Sequence, residues 1–184
     1  MALSREEVAK TSENCPEPPA ELELGRYVLR GAIASGGMAT VHLGRMHTAA
    51  GVTRTVAIKR MHPHLVADPD FASMFLDEAR LAMRIQHPNV VGTFDVISAG
   101  SELLLVMDFV LGESLDRLLR RARDEGRRSP VRVVCGVVAG VLYGLHAAHE
   151  ARDEEGEPLD IVHRDVSPQN VIVGVDGVPR ARRR

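Results

Sequence analysis

The sequence has no tryptophan, and its two tyrosines and four phenylalanines hold aromatics to 3%. A core must therefore come from Val, Leu, Ile and Ala, which supply most of the 45% apolar share. Cysteine is as scarce. Cys15 sits in a polar leader and Cys135 in an apolar run, which excludes a disulfide framework or a cysteine-rich metal centre and fits reduced thiols in a cytoplasmic setting. Charge of neither sign is in excess. A formal net charge of -2 leaves no general basic field to gather nucleic acid or anionic membrane, so neither partner is expected. The four arginines between Arg180 and Arg184 read as a solvated basic terminus. The first 24 residues lack the apolar stretch of a signal peptide, so export is not expected. The most apolar run, "VVCGVVAGVLYGL" at 133–145, covers only part of a membrane span and reads as a buried core helix.

What is present organises 184 residues into one folding unit or two small lobes. Residues 1–24, rich in Glu, Pro and Ser, read as a flexible leader, with order beginning near Gly25. The runs "RYVLRGAIAS", "MATVHLGRM" and "TRTVAIKRM" are β-leaning, with glycine-containing breaks, and predict an antiparallel meander. From Asp68 to Gln86 the period becomes helical: Phe71, Phe75, Leu76, Ala79, Ala82 and Met83 share a face, Asp68 is the expected N-cap and Pro69 opens the first turn. "VVGTFDVIS" at 90–98 and "ELLLVMDFV" at 102–110 predict two further strands, making five in all. Beyond Gly112 the pattern predicts an amphipathic helix at 114–126 and an apolar one reaching about His149, with Ser129 as its N-cap and Pro130 in its first turn. "NVIVGVDGVPR" predicts a hairpin turning at Asp176 and Gly177.

Several short motifs carry chemistry. They run in the order "GGMATV" (36–41), "VAIK" (56–59), a helical glutamate at 78, the apolar strand before "DFVLGE", and "HRDVSPQN" (163–170). Singly, each is modest, because two adjacent glycines often mark a plain turn and a strand lysine is often a surface residue. In this order they resemble the eukaryotic-like (Hanks-type) serine/threonine protein kinases, especially the bacterial ones, over roughly residues 26–178.

The resemblance implies an α+β, bilobal fold. A small lobe at about 25–107 would hold a five-stranded antiparallel sheet and one helix, followed by a hinge at about 108–112 and the opening part of a helical large lobe at 113–184. It implies ATP and Mg²⁺ as cofactors and ATP-dependent phosphoryl transfer to a protein hydroxyl, a reaction that needs positioning and charge neutralisation more than covalent chemistry. Lys59 would hold the α and β phosphates and pair with Glu78, chosen over its neighbours Asp77 and Arg80 because "AR" follows it. Ile33, Ala34, Gly36 and Gly37 would form the phosphate loop, in which only Gly36 matches G-x-G-x-x-G, since Ala34 and Ala39 occupy the outer positions. Val41 and Ala57 would cover the adenine, Ile172 would lie beneath it, Met107 would guard the back of the pocket, and the backbones of Asp108 and Val110 would meet its edge. Asp165 would orient the substrate hydroxyl, and Asn170 would bind Mg²⁺ through its amide oxygen. His163 would support the loop from below and Arg164 would meet a phosphorylated activation segment.

Two features depart from the family pattern. Ser167 stands where these kinases usually carry a lysine, and the sequence reaches "VDGVPRARRR" without the "DFG" aspartate that holds the principal metal or the later "APE". An incomplete copy of the large lobe is therefore expected. Two other readings stay open: a non-catalytic, pseudokinase-like module binding nucleotide or a partner, and an unstable product of a truncated gene.

Overall fold

Period-2 patterning governs the first half of the chain. A computed structural model describes residues 22–182, in which the strands β1 (Leu22–Leu24), β2 (Tyr27–Ser35), β3 (Ala39–His47), β4 (Thr53–Met61), β5 (Thr93–Ala99) and β6 (Glu102–Asp108) form one antiparallel sheet in the order β1-β2-β3-β4-β6-β5. On β4 and β6 the alternation is sharp. Val56, Ile58, Leu104 and Val106 pack on one face with Tyr27 and Leu29, while Ala57, Leu103, Leu105 and Met107 pack on the other with Phe75 and Ala79. Because successive side chains point to opposite faces, Lys59 shares the face of Ala57, the one turned to the helix. The register Val41↔Lys59↔Leu105 fixes that choice, since a slip of one residue would turn the lysine away. Register shifts in β2 around Ala32 and Ala34 bend that strand where it approaches the β2–β3 turn.

The helix on that face, α2 (Pro69–Met83), starts as its sequence predicts: the Asp68 carboxylate accepts from the amides of Asp70 (3.0 Å) and Phe71 (3.4 Å). A short helix, α1 (Pro63–Val66), precedes it. The second part of the chain begins with β7 (Gly112–Ser114) and α3 (Leu115–Asp124), where Ser114 Oγ accepts from the Arg117 amide at 3.3 Å. After α4 (Val131–His149), a 3₁₀ turn at Pro168–Asn170 leads into β8 (Val171–Gly174) and β9 (Pro179–Ala181), which with β7 make a second, three-stranded sheet. Gly177, with φ +76°, turns the β8–β9 hairpin at the expected Asp-Gly.

Several expectations change. The small-lobe sheet has six strands where five were predicted, because Leu22–Leu24, assigned to the leader, pairs with β2 through the tight turn at Gly25 (φ +58°); the rest of the leader, Cys15 included, lies outside the described residues. The strand predicted from Val90 starts at Thr93, because the Val90 amide turns back to the His87 carbonyl and the Val91 amide bonds to the Ala181 carbonyl. At the start of α4, Pro130 and not Ser129 occupies the N-cap, without a side-chain hydrogen bond.

The largest difference concerns α4 itself. It runs 19 residues, longer than its most apolar stretch, and by length and composition it is the one helix among the described residues that could cross a membrane. Only Gly140, Val141, Gly144 and Ala148 are buried. Gly140 and Gly144 press against Pro179 and Asn89 so closely that an added Cβ would lie 2.5 Å from Pro179 Cγ or from the Asn89 carbonyl oxygen. The opposite face, with Val138, Leu142 and Tyr143, is exposed, so apolarity here reported a helix with one packed stripe and not a buried core.

At the sheet's far face Tyr27, 2% exposed, donates its hydroxyl to Asp95, which also accepts from Arg26 Nη2 at 2.7 Å. Burial, then the bond to the carboxylate, pushes the phenol from 10.0 up to about 12. Burial works to raise the Asp95 carboxyl, but the Tyr27 and Arg26 hydrogen bonds outweigh it and hold the group below its ordinary value. The raised Tyr27 value contributes stability that is complete below pH 10.0 and lost as pH rises through about 12. The depressed Asp95 value acts oppositely, present above the ordinary carboxylate range and lost as pH falls through the lowered value. Thermal melts are therefore expected to weaken between pH 10.0 and about 12. Tyr27→Phe should flatten that limb and cost about 1 kcal/mol at neutral pH; an identical alkaline limb in the variant would refute the assignment.

Candidate active site

A cleft lies between the curled sheet and the segment from β7 to β9. Its inner half, about 510 Å³, is bounded above by the β2–β3 turn (Ala34 to Ala39), Val41 and Lys59, and below by Asp116, Asp165 and the Ser167–Asn170 stretch. Its outer half, about 400 Å³, is walled by Ile33, Ala57, Val110 and Ile172, with the hinge residues Asp108 to Ser114 along its edge. Ala34, Val41, Met107, Gln169 and Arg182 border both.

The β2–β3 turn closes with the Gly36 amide on the Ala39 carbonyl at 3.0 Å. Neither Gly36 nor Gly37 has a positive φ, and an added Cβ would meet nothing closer than 3.9 Å, so these glycines keep the cleft roof open and relieve no strain. At the hinge the Asp108 amide donates to the Gly92 carbonyl at 2.8 Å. The Asp108 side chain is bound to Arg54 outside the cleft.

The loop at 163–170 supplies the polar floor. Arg164 takes a left-handed conformation (φ +62°), and the Asp165 amide folds back onto the His163 carbonyl at 2.8 Å. Asn170, 7% exposed, uses its side-chain amide nitrogen three times: it donates to the Asp165 carbonyl (3.1 Å), to Asp165 Oδ2 (2.8 Å) and to Ser167 Oγ (3.2 Å). Two of these partners can only accept, so the nitrogen must face them and Asn170 Oδ1 is left as the acceptor for a ligand. His163 lines a small apolar cavity with Ile85, Ala148 and Ile161, beneath the loop.

Lys59 Nζ sits 5.8 Å from the centre of the Phe75 ring, within cation–π range. Glu78, one helical turn after Phe75, lines a deeper cavity together with Phe75, Ala79 and Met107 and does not border the cleft itself. Its neighbours Asp77 and Arg80 bond to each other at 2.8 Å on the exposed side of α2. Of the other residues assigned from sequence, all but His163 and Arg164 border one half of the cleft or the other.

A family that uses ATP and a divalent metal brings two tests. The apolar outer half, with the hinge backbone at its edge, fits a purine, and the inner half, with Lys59, fits phosphates. Among the described residues no three His, Cys, Asp or Glu side chains cluster as a metal cage. Asn170 Oδ1 and the Asp165 carboxylate are oxygen donors of the kind Mg²⁺ takes when phosphates complete its shell.

The sequence reading missed Gln169, Asp116 and, above all, Arg182. The basic terminus was expected to be solvated, yet Arg180 pairs with Asp176 at 2.6 Å and Arg182 borders both halves of the cleft; Arg183 and Arg184 lie outside the described residues. β9 carries them there, since its Ala181 amide donates to the Asn89 carbonyl and the Arg182 amide to the Asn170 carbonyl, both at 2.8 Å. The alternation "PRAR" was the available signal, because it puts apolar and basic residues on opposite faces.

Known proteins give the same picture. The chain is 42% identical over 153 residues to the tyrosine-protein kinase MasK of Myxococcus xanthus, covering 83% of this chain and 24% of that protein. It is 36% identical to the serine/threonine-protein kinase PkaB of Streptomyces coelicolor, covering 83% of this chain and 32% of that one. The chain thus spans a third or less of the length of these relatives. Among solved structures, the PknI kinase domain of Mycobacterium tuberculosis superimposes with a TM-score of 0.68 at 26% identity, over 88% of this chain and 60% of that domain. With a hinge, a strand lysine and an Asp–Asn loop around one cleft, and with residues 27–180 matching the protein kinase domain, the chain belongs to the protein kinase domain family.

Proposed function

We propose that this chain binds ATP in the cleft and carries the phosphate-holding and hydroxyl-orienting parts of a serine/threonine protein kinase. The observation that supports this most is the meeting of Lys59 with Asp165 and Asn170 on opposite walls of the inner half, although the lysine comes from the sheet and the other two from a distant loop. In this reading Ile33, Ala57 and Ile172 enclose the adenine, and the Asp108 carbonyl and Val110 amide bond its edge. Ala34, Gly36 and Gly37 cover the phosphates, and Met107 closes the back. Lys59 holds the phosphates and is steadied by Glu78 from the side of α2. A bound Mg²⁺ would neutralise the charge on the phosphates, and Asn170 Oδ1 would hold it. Asp165, kept in place by the Asn170 amide, orients the hydroxyl of a protein substrate. The domain works in the cytoplasm, which suits ATP as ligand and the exposed thiol of Cys135.

The test is calorimetric binding of Mg-ATP together with radiolabel transfer to a pool of Ser-, Thr- and Tyr-containing peptides. Lys59→Met should weaken ATP binding about 10-fold or more, as expected for a charge-assisted phosphate contact. Asp165→Asn should leave binding near wild type and abolish transfer. Binding without transfer in the wild type would point to the nucleotide-binding module, and no binding at all would overturn both readings.

A further inference from the structure

We propose that Arg182 makes the inner half of this cleft a phosphate clamp that holds a nucleoside triphosphate without a divalent cation. The inference rests on the cleft being a nucleotide site. Arg182 follows directly on β9, and its backbone is fixed: its own amide donates to Asn170 (2.8 Å), and the Val91 amide donates to the carbonyl of the preceding Ala181 (2.9 Å). From that anchor the side chain borders the inner half, the outer half and the deeper cavity beside Glu78, so it lies where the three meet.

Its partners are too few for its charge. Among the described residues the guanidinium forms no ion pair, and its one side-chain hydrogen bond is a long one, 3.4 Å, to the Gln169 carbonyl. Arg180, two residues earlier, shows the contrast, with Nη2 and Nη1 on the Asp176 carboxylate at 2.6 and 3.1 Å. Burial pulls Arg182 below its ordinary value, the direction expected of a cation removed from water without a counterion. A partly buried fork of five donors with one long hydrogen bond, on a residue that lines an open cleft, suits a planar or tetrahedral oxyanion.

Two further observations set the class of ligand. Lys59 lines the same inner half, so two cations from opposite walls face one space. Of the two carboxylates on the same floor, that of Asp116 is bound by Arg120 at 3.0 Å and that of Asp165 accepts from the Asn170 amide at 2.8 Å, so each opposes an anion less. The apolar outer half opens from the same junction, with Val41 and Ile172 on its walls, which selects a phosphate chain attached to an aromatic base over inorganic polyphosphate. Arginine and lysine together neutralise part of the triphosphate charge, a task otherwise left to a metal.

Binding of ATP, adenosine and tripolyphosphate is measured by calorimetry in EDTA. The expected result is that ATP binds at least about 10-fold tighter than adenosine, and that tripolyphosphate alone binds weakly. In Arg182→Gln the ratio of ATP to adenosine affinity should fall about 10-fold, and Arg182→Lys should recover part of it, since charge returns without the fork. ATP binding no tighter than adenosine in EDTA overturns the clamp on the wild type alone, whether or not the variants fold. A ratio unchanged in Arg182→Gln also overturns it. Tripolyphosphate binding as tightly as ATP overturns the choice of a nucleotide. Failure of both adenosine and ATP, with and without Mg²⁺, sinks the underlying nucleotide-site reading instead.

Discussion

Gly112→Ala is expected to lower stability by about 3 kcal/mol, to move the melting midpoint down by roughly 6–12 °C, and to weaken ATP binding sharply. Gly112 opens β7 and faces Gly174 on β8. A Cβ there would lie 2.2 Å from the Val173 carbonyl oxygen and 2.7 Å from Gly174 Cα. Both are backbone atoms, so no rotamer change relieves the overlap and the two strands must part. Parting them moves Ile172, the floor of the outer half, and Ser114, the cap of α3. Gly136→Ala is the control: an added Cβ in that turn of α4 meets nothing within 4 Å, and losing a helical glycine should stabilise by about 1 kcal/mol. Circular-dichroism melts of the two variants give opposite signs if close approach, and not glycine content, is what matters. A Gly112→Ala protein that melts with the wild type would show that β7 and β8 are not held at this spacing.

Asn170→Ala is expected to be nearly as damaging, and at two levels. The side-chain amide nitrogen serves the Asp165 carbonyl, the Asp165 carboxylate and Ser167 Oγ together, so truncation removes one donor that three acceptors share. A loss of about 2–3 kcal/mol follows, because one of these bonds is charge-assisted and the site is largely buried. The gain in ATP affinity on adding Mg²⁺ should also vanish, since the amide oxygen goes with the nitrogen. Asn170→Asp separates the two effects. It keeps oxygens for the metal but sets a second carboxylate against Asp165, where the parent bond is 2.8 Å, so one of the pair must take a proton. That variant should be less stable at neutral pH, recover as pH falls, and regain part of its stability when Mg²⁺ is added. An Asn170→Ala protein with unchanged melting and an unchanged Mg²⁺ response would remove the residue from the site.

Much of the small lobe was legible because its signals are local. "TRTVAIKRM" and "ELLLVMDFV" are short β-leaning runs of strand length, the second continuously apolar as a buried strand requires, and both appear as strands. Asp68 followed by Pro69 marked the start of α2 to the residue. Other signals were ambiguous. Leu22–Leu24 is too short for periodicity to distinguish from a leader, and it becomes a strand only because β2 offers it an edge. Val90 and Val91 have the composition of a strand, but the Val90 amide bonds to His87 and β9 claims the Val91 amide before β5 begins. In α4 apolarity and burial part company, because the glycines that allow close packing carry little apolar weight themselves.

The sequence by itself determined most of the longer strands and helices, where α2 starts, and which short stretches carry a lysine, an acid and an amide suited to phosphate and metal. Those properties depend on neighbours a few residues apart, and period and capping record them directly. Only the tertiary structure decided that Lys59 and Asn170 border one space, that Glu78 stands a layer behind it, and that Arg182 turns into the cleft instead of into water. Such placements are set by sheet order and by the docking of β9 on the Asn89 and Asn170 backbones, contacts between segments far apart in the chain that leave no periodic trace in it.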